Sequence, residues 1–131
     1  MDTPIFVDFP KIDLDKPVPM EAIQMVVNRI AEEFKPEKII LFGSHAYGTP
    51  KPWSDVDLFV IMESELSAHD QRLKIARFLI PRPFGIDVLT RTPKDLDYRI
   101  KEGDFFLKEI MTKGKVLYEK PNRRMDSESG K

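Results

Sequence analysis

Asp55 and Asp57 stand one residue apart where an apolar run begins, and no other feature restricts the fold of this chain as strongly. Val56, Leu58 and Val60 alternate with Asp55, Asp57 and Phe59, the period of two of a half-buried strand. Residues two apart on a strand share a face, so the two carboxylates stand side by side. Aspartate is uncommon in strands and rarely buried without a partner. Either this face is open to water, or a cation offsets the repulsion.

The chain has 131 residues, one domain's worth, with 21 Lys plus Arg against 22 Asp plus Glu. A formal charge of -1 gives no global attraction to nucleic acid and little repulsion between copies, so self-association or a protein partner fits the balance. There is no Cys, hence no disulfide, no thiolate nucleophile and no cysteine zinc site. His45 and His69 are too few for a histidine-rich metal site. The start of the chain lacks a basic segment and a continuous apolar core, so it does not read as a signal peptide. No apolar run approaches the roughly 20 residues of a membrane span. These readings predict a cytoplasmic protein.

Residues 1–19 hold four Asp and four Pro and read as an N-terminal arm, in which Ile5, Val7 and Phe9 suit a short edge strand or a docking segment. From Pro19 onward, Ile23, Val26, Val27, Ile30 and Phe34 recur at helical spacing, predicting a helix over 20–34 stopped by Pro36. Lys38–Phe42 reads as a buried strand, Ser44–Tyr47 as one helical turn ended by Gly48, and 49–54 as a loop. Ser67 caps a predicted helix over 68–79, with Leu73, Ala76 and Ile80 facing the core. Ile86, Val88 and Leu89 make a third strand, with Asp87 pointing to the opposite face. Thr92-Pro93 opens another helix, a further one spans about 104–112, and 115–119 is a last strand. The folded domain is therefore expected over 20–119. The polar residues 120–131 read as a disordered tail.

Gly43 and Ser44 lie where a strand hands over to a helix. The first amides there lack intrahelical partners and favour an anion, and glycine lets a phosphate approach the backbone. The same pair also serves as a plain turn and helix cap. It does not match a P-loop, which needs Gly-Lys-Ser/Thr, and Lys51 is too far along to be that lysine. The carboxylates carry the stronger signal. If the strands of Asp57 and Asp87 are neighbours, Asp55, Asp57 and Asp87 converge. Magnesium takes oxygen ligands and often uses one or two carboxylates plus substrate phosphates. Two ions about 3.5–4 Å apart form a clamp used in phosphoryl transfer. One would be held by Asp55, Asp57 and the triphosphate, the other by all three acids. On the plainer reading, Asp55 closes its loop while Asp57 and Asp87 face solvent. His45, Tyr47 and Lys51 are candidates for nucleotide contact, and Trp53 for stacking on a base, each against a surface or packing role.

Gly43-Ser44, ten intervening residues, Asp55-x-Asp57 and the downstream Asp87 resemble the nucleotidyltransferase superfamily typified by DNA polymerase beta. Within it the chain resembles the minimal nucleotidyltransferases, including those paired as antitoxins with HEPN-domain proteins. The resemblance spans about residues 22–118. It implies an α/β (α+β) fold, a small mixed sheet flanked by helices, with Gly43 and Ser44 on the nucleotide and Asp55, Asp57 and Asp87 as catalytic metal ligands. It implies Mg²⁺, two ions, with ATP or another NTP as substrate. Where such proteins carry Arg after Gly-Ser, this chain has His45 and Tyr47, which lack the guanidinium fork. The resemblance further implies that a helical HEPN-type partner completes the site, and that AMP passes to one of its tyrosines. Two alternatives stay open: a non-catalytic antitoxin acting by steric masking, and a homodimeric antibiotic nucleotidyltransferase.

Overall fold

The computed structural model describes residues 9–121. The order of elements is α1 (Met20–Phe34), β1 (Lys38–Phe42), α2 (Ser44–Tyr47), β2 (Val56–Ile61), α3 (Ala68–Phe78), β3 (Ile86–Arg91), α4 (Pro93–Lys101), α5 (Phe105–Lys113) and β4 (Lys115–Glu119). The expected strand around Ile5 and Val7 and the expected tail beyond residue 121 lie outside the described residues.

Local chemistry sets these boundaries. Pro19 stands in extended backbone ahead of α1, where a missing amide is harmless. Lys35, left-handed at φ 49°, ends that helix by donating its amide to Ala31 O. The hydroxyls of Ser67 and Thr92 and the carboxylate of Asp104 cap α3, α4 and α5 by accepting from the third residue beyond each.

The strands form one mixed sheet in the order β3-β2-β1-β4. β1 runs antiparallel to both β2 and β4, and β2 runs parallel to β3. The parallel pair needs a crossover, which α3 supplies. One face carries Ile39, Leu41, Val56, Leu58, Val60, Ile86 and Val88 against α1 and α3. The other carries Ile40, Phe59 and Ile61 against Leu96 of α4 and Leu107 and Ile110 of α5. The small mixed sheet flanked by helices is the architecture the resemblance implied.

Two expectations need correction. β2 is not half-buried along its length: Phe59 and Ile61 are buried as well, because α4 and α5 cover the second face. Asp57, at the start of the strand, is the one position on that face of β2 that is not fully buried. The helix α3 is also turned from the predicted phase. Gln71, Ile75 and Leu79 are buried, whereas Ile80 is 62% exposed. A polar Gln on the inner stripe hid the spacing of four from a reading of apolar residues alone.

Candidate active site

The site is built at the end of the sheet where β1 leaves and where β2 and β3 begin. Register does most of the work. Phe42, the last residue of β1, pairs with Asp57. Asp57 in turn pairs with Asp87 across the parallel ladder. Adjacent strands lie about 4.8 Å apart, and directly paired residues point to the same side. The carboxyls of Asp57 and Asp87 therefore share one face at neighbouring positions. Asp55 immediately precedes β2, where the Val56 amide donates to Gly85 O at 2.9 Å.

Two glycines give these acids room. Gly43 has φ 76° and ψ -156°, a region essentially restricted to glycine. A Cβ at residue 43 would also run into Asp57 Oδ2. The turn after β1 thus closes directly over the Asp57 carboxyl. Likewise, a Cβ at Gly85 would run into Asp55 Oδ1. The sequence reading singled out Gly43 but missed Gly85, although a glycine immediately ahead of an acid-bearing strand is a recognisable sign of close approach.

Charge records the convergence. The Asp57 carboxyl is pushed up to about 6, first by burial, then by Asp87 and Asp55, with His45 pulling the other way. One half-buried carboxylate therefore feels two others and lacks enough positive charge to balance them. Among the described residues, no three His, Cys, Asp or Glu side chains are gathered into a ready ligand set. The Asp55 carboxyl lies against Gly85 and that of Asp57 against Gly43. Nevertheless the donors fit a hard divalent cation chemically: they are carboxylate oxygens on one face, destabilised by their own repulsion, and substrate oxygens complete such a shell.

The remaining candidates divide. Ser44 opens α2 beside Asp57, and the Ala46 and Tyr47 amides donate back to Gly43 O at 3.0 Å. The first amides of the turn have no such partner within it. His45 Nε2 donates to Ser54 O at 3.1 Å, tying α2 to the residue ahead of Asp55. A carbonyl can only accept, so Nε2 carries the proton. This tie was not legible in sequence, since it links residues nine apart through a loop. Lys51 is exposed, and its backbone closes a turn with Ser54 through amide bonds of 2.9 and 3.0 Å. Its side chain makes no ion pair among the described residues, so the structure does not bring it to the acids. Tyr47 ends α2 at 40% exposure and Trp53 projects at 78%. Phe106 of α5 meets Phe42 edge-on, with centroids 5.9 Å apart, so the helical pair reaches the edge of the site.

Comparison with known proteins gives concordant results. The family model described as "Nucleotidyltransferase domain" matches residues 23–118. A curated protein of Methanocaldococcus jannaschii, named "Putative protein adenylyltransferase MJ1305", is 29% identical over 112 residues, covering 76% of each chain. Two solved structures share the fold with a TM-score of 0.53 each. One, from Sulfolobus solfataricus, is titled a "putative nucleotidyltransferase", is 16% identical and covers 76% of this chain and 79% of its own. The other is a chain of a toxin-antitoxin crystallised with AMP-PNP, 19% identical, covering 77% of this chain and 76% of its own.

Proposed function

Because the chain belongs to the nucleotidyltransferase domain family, we propose that it moves a nucleoside monophosphate, AMP from ATP, to a hydroxyl of a protein partner. The acceptor on this reading is a tyrosine of a HEPN-type toxin, and the transfer makes the chain an antitoxin. The observation that carries it is the Asp57–Asp87 pairing on neighbouring strands beneath the Gly43 turn. Support for the acceptor class comes from the name of the Methanocaldococcus jannaschii relative. Support for the partner comes from the toxin-antitoxin chain of the same fold.

Asp55, Asp57 and Asp87 would hold Mg²⁺, which when bound neutralises polyphosphate charge and lowers the pKa of the acceptor hydroxyl. Gly43 leaves the backbone bare for the phosphates, and the Ser44 hydroxyl with the first amides of α2 donates to their oxygens. His45 holds the loop that positions Asp55. Asp87 lies on β3, the edge strand, and takes the acceptor proton there. The acceptor oxygen bonds to the α-phosphorus, the bond from that phosphorus to the bridging oxygen breaks, and pyrophosphate leaves with the electron pair.

The test is transfer of label from α-labelled ATP to the partner with Mg²⁺, comparing wild type with Asp57→Asn. Label on the partner with wild type, and a loss of at least about 10²-fold in the variant, is expected. Unlabelled partner in a stable complex, with toxicity still neutralised, would replace this reading with steric masking. Label on a small-molecule hydroxyl but never on protein would instead favour the homodimeric antibiotic-modifying alternative.

A further inference from the structure

Beside Asp55 lies a small cleft of about 160 Å³. Asp13, Leu14 and Lys16 line it from the stretch ahead of α1, Trp53 and Asp55 from the loop ahead of β2, and Phe84 from the loop ahead of β3. Asp55 belongs to the acidic site, whereas Gly43, Ser44, Asp57 and Asp87 do not line this cleft. The cleft therefore adjoins the site at one edge and leaves its centre free.

Trp53 is the only tryptophan of the chain and is 78% exposed, and Leu14 is 83% exposed. Two large apolar side chains open to water on one cleft make a patch that gains by being covered. Both are carried on closed turns. Lys16 donates its amide to Asp13 O at 3.1 Å, and Asp13 Oδ1 accepts from the Asp15 amide at 2.9 Å. Ser54 donates its amide to Lys51 O at 3.0 Å, with Pro52 at the second position of that turn, where its fixed φ fits. The His45 bond to Ser54 O anchors the same turn to α2. The indole is thus presented to solvent by fixed backbone, and an aromatic side chain offers contact area at low entropic cost.

On the reading of the chain as a nucleotidyltransferase, on which this inference rests, the geometry points to the cleft as the seat of the nucleobase, its flat ring stacked on Trp53. Charge favours the base over the phosphates. The walls carry the carboxylates of Asp13 and Asp55 against the single ammonium of Lys16, which repels an anion and suits a neutral ring with N–H donors. The volume corresponds to about five waters at roughly 30 Å³ each. It is below the roughly 300–1,000 Å³ of sites that enclose a drug-sized ligand, so it admits a ring and leaves ribose and phosphates outside. Position favours the base over the acceptor. The acceptor oxygen must reach a cation held among all three acids, and only Asp55 borders the cleft. A base stands a sugar away from the α-phosphorus and needs no such reach. Every base has a π-face, so Trp53 supplies affinity for nucleotides rather than a choice among them.

Because Trp53 is the sole tryptophan, its fluorescence reads the cleft directly. Titration with adenosine, which has no phosphate and needs no Mg²⁺, should quench it saturably. ATP affinity, measured with Mg²⁺ by equilibrium dialysis, should fall about tenfold in Trp53→Ala through loss of one stacked base. Trp53→Phe, which keeps a ring, should recover most of it. No saturable quenching by adenosine overturns the proposal, as does unchanged ATP affinity in Trp53→Ala. Saturation by N-acetyltyrosinamide but not by adenosine also overturns it and gives the cleft to the acceptor. Transfer of label together with unchanged affinity in Trp53→Ala would strike this placement alone. Adenosine quenching with no transfer at all would strike the reaction and leave the seat of the base standing.

Discussion

Asp57 is a carboxylate that the fold would rather keep protonated in the absence of a cation. Its value rises from 3.8 to about 6 through burial and through Asp87 and Asp55. A raised folded value means the favourable contribution is present below the unfolded value and is lost as pH climbs through about 6. Asp57→Asn should therefore stabilise the metal-free protein at pH 7.5 by about 1 kcal/mol, after allowance for solvent screening of a half-exposed group. Near pH 4 the gain should vanish. Urea unfolding of both proteins at the two pH values checks this. Gly43 is constrained twice, by its positive φ and by the Asp57 carboxyl where a Cβ would lie. Gly43→Ala should cost about 1–3 kcal/mol of strain and displace Asp57. A lower melting temperature together with lost nucleotidyl transfer is expected.

At the scale of elements, the short turn α2 works through what it holds. The His45 bond to Ser54 O joins the turn after β1 to the loop before β2. His45→Ala should speed hydrogen exchange at residues 54 and 55 and lower the rate of transfer, whereas His45→Gln, which retains a donor, should recover part of it. The helix α3 offers a cleaner structural test. Ile75→Ala should cost about 2–5 kcal/mol, as for a filled core position, while Ile80→Ala should stay within about 0.5 kcal/mol. The phase expected from sequence would instead make Ile80→Ala costly, because it placed Ile80 inside. Denaturant midpoints of the two variants decide between the phases.

For the molecule as a whole, the two apolar layers carry the fold without help from a cation. Ile23, Val26, Val27 and Ile30 pack one face of the sheet, and Phe59, Leu107 and Ile110 pack the other. Removing divalent metal with EDTA should abolish transfer yet leave the cooperative unfolding of the metal-free protein intact. Mg²⁺ should raise the melting temperature of wild type and not that of Asp57→Asn. No helix among the described residues is long and apolar enough to cross a membrane.

Periodicity and punctuation by themselves determined the elements. The apolar stripe of α1, the β-branched run of β1, the Thr92-Pro93 start of α4 and the Gly48 stop of α2 are all local preferences, set by neighbours within a few residues. The acids on β2 and β3 could be singled out for the same reason, since Asp in an apolar run is conspicuous wherever the strand lies. Strand order belonged to the tertiary structure alone. Only packing across the sheet put β3 beside β2 in the register that pairs Asp57 with Asp87. The burial of Gln71, the second apolar layer over Phe59 and the tie from His45 to Ser54 were decided there too. Each depends on groups distant in sequence, and a chain read locally carries no record of which distant group will be its neighbour.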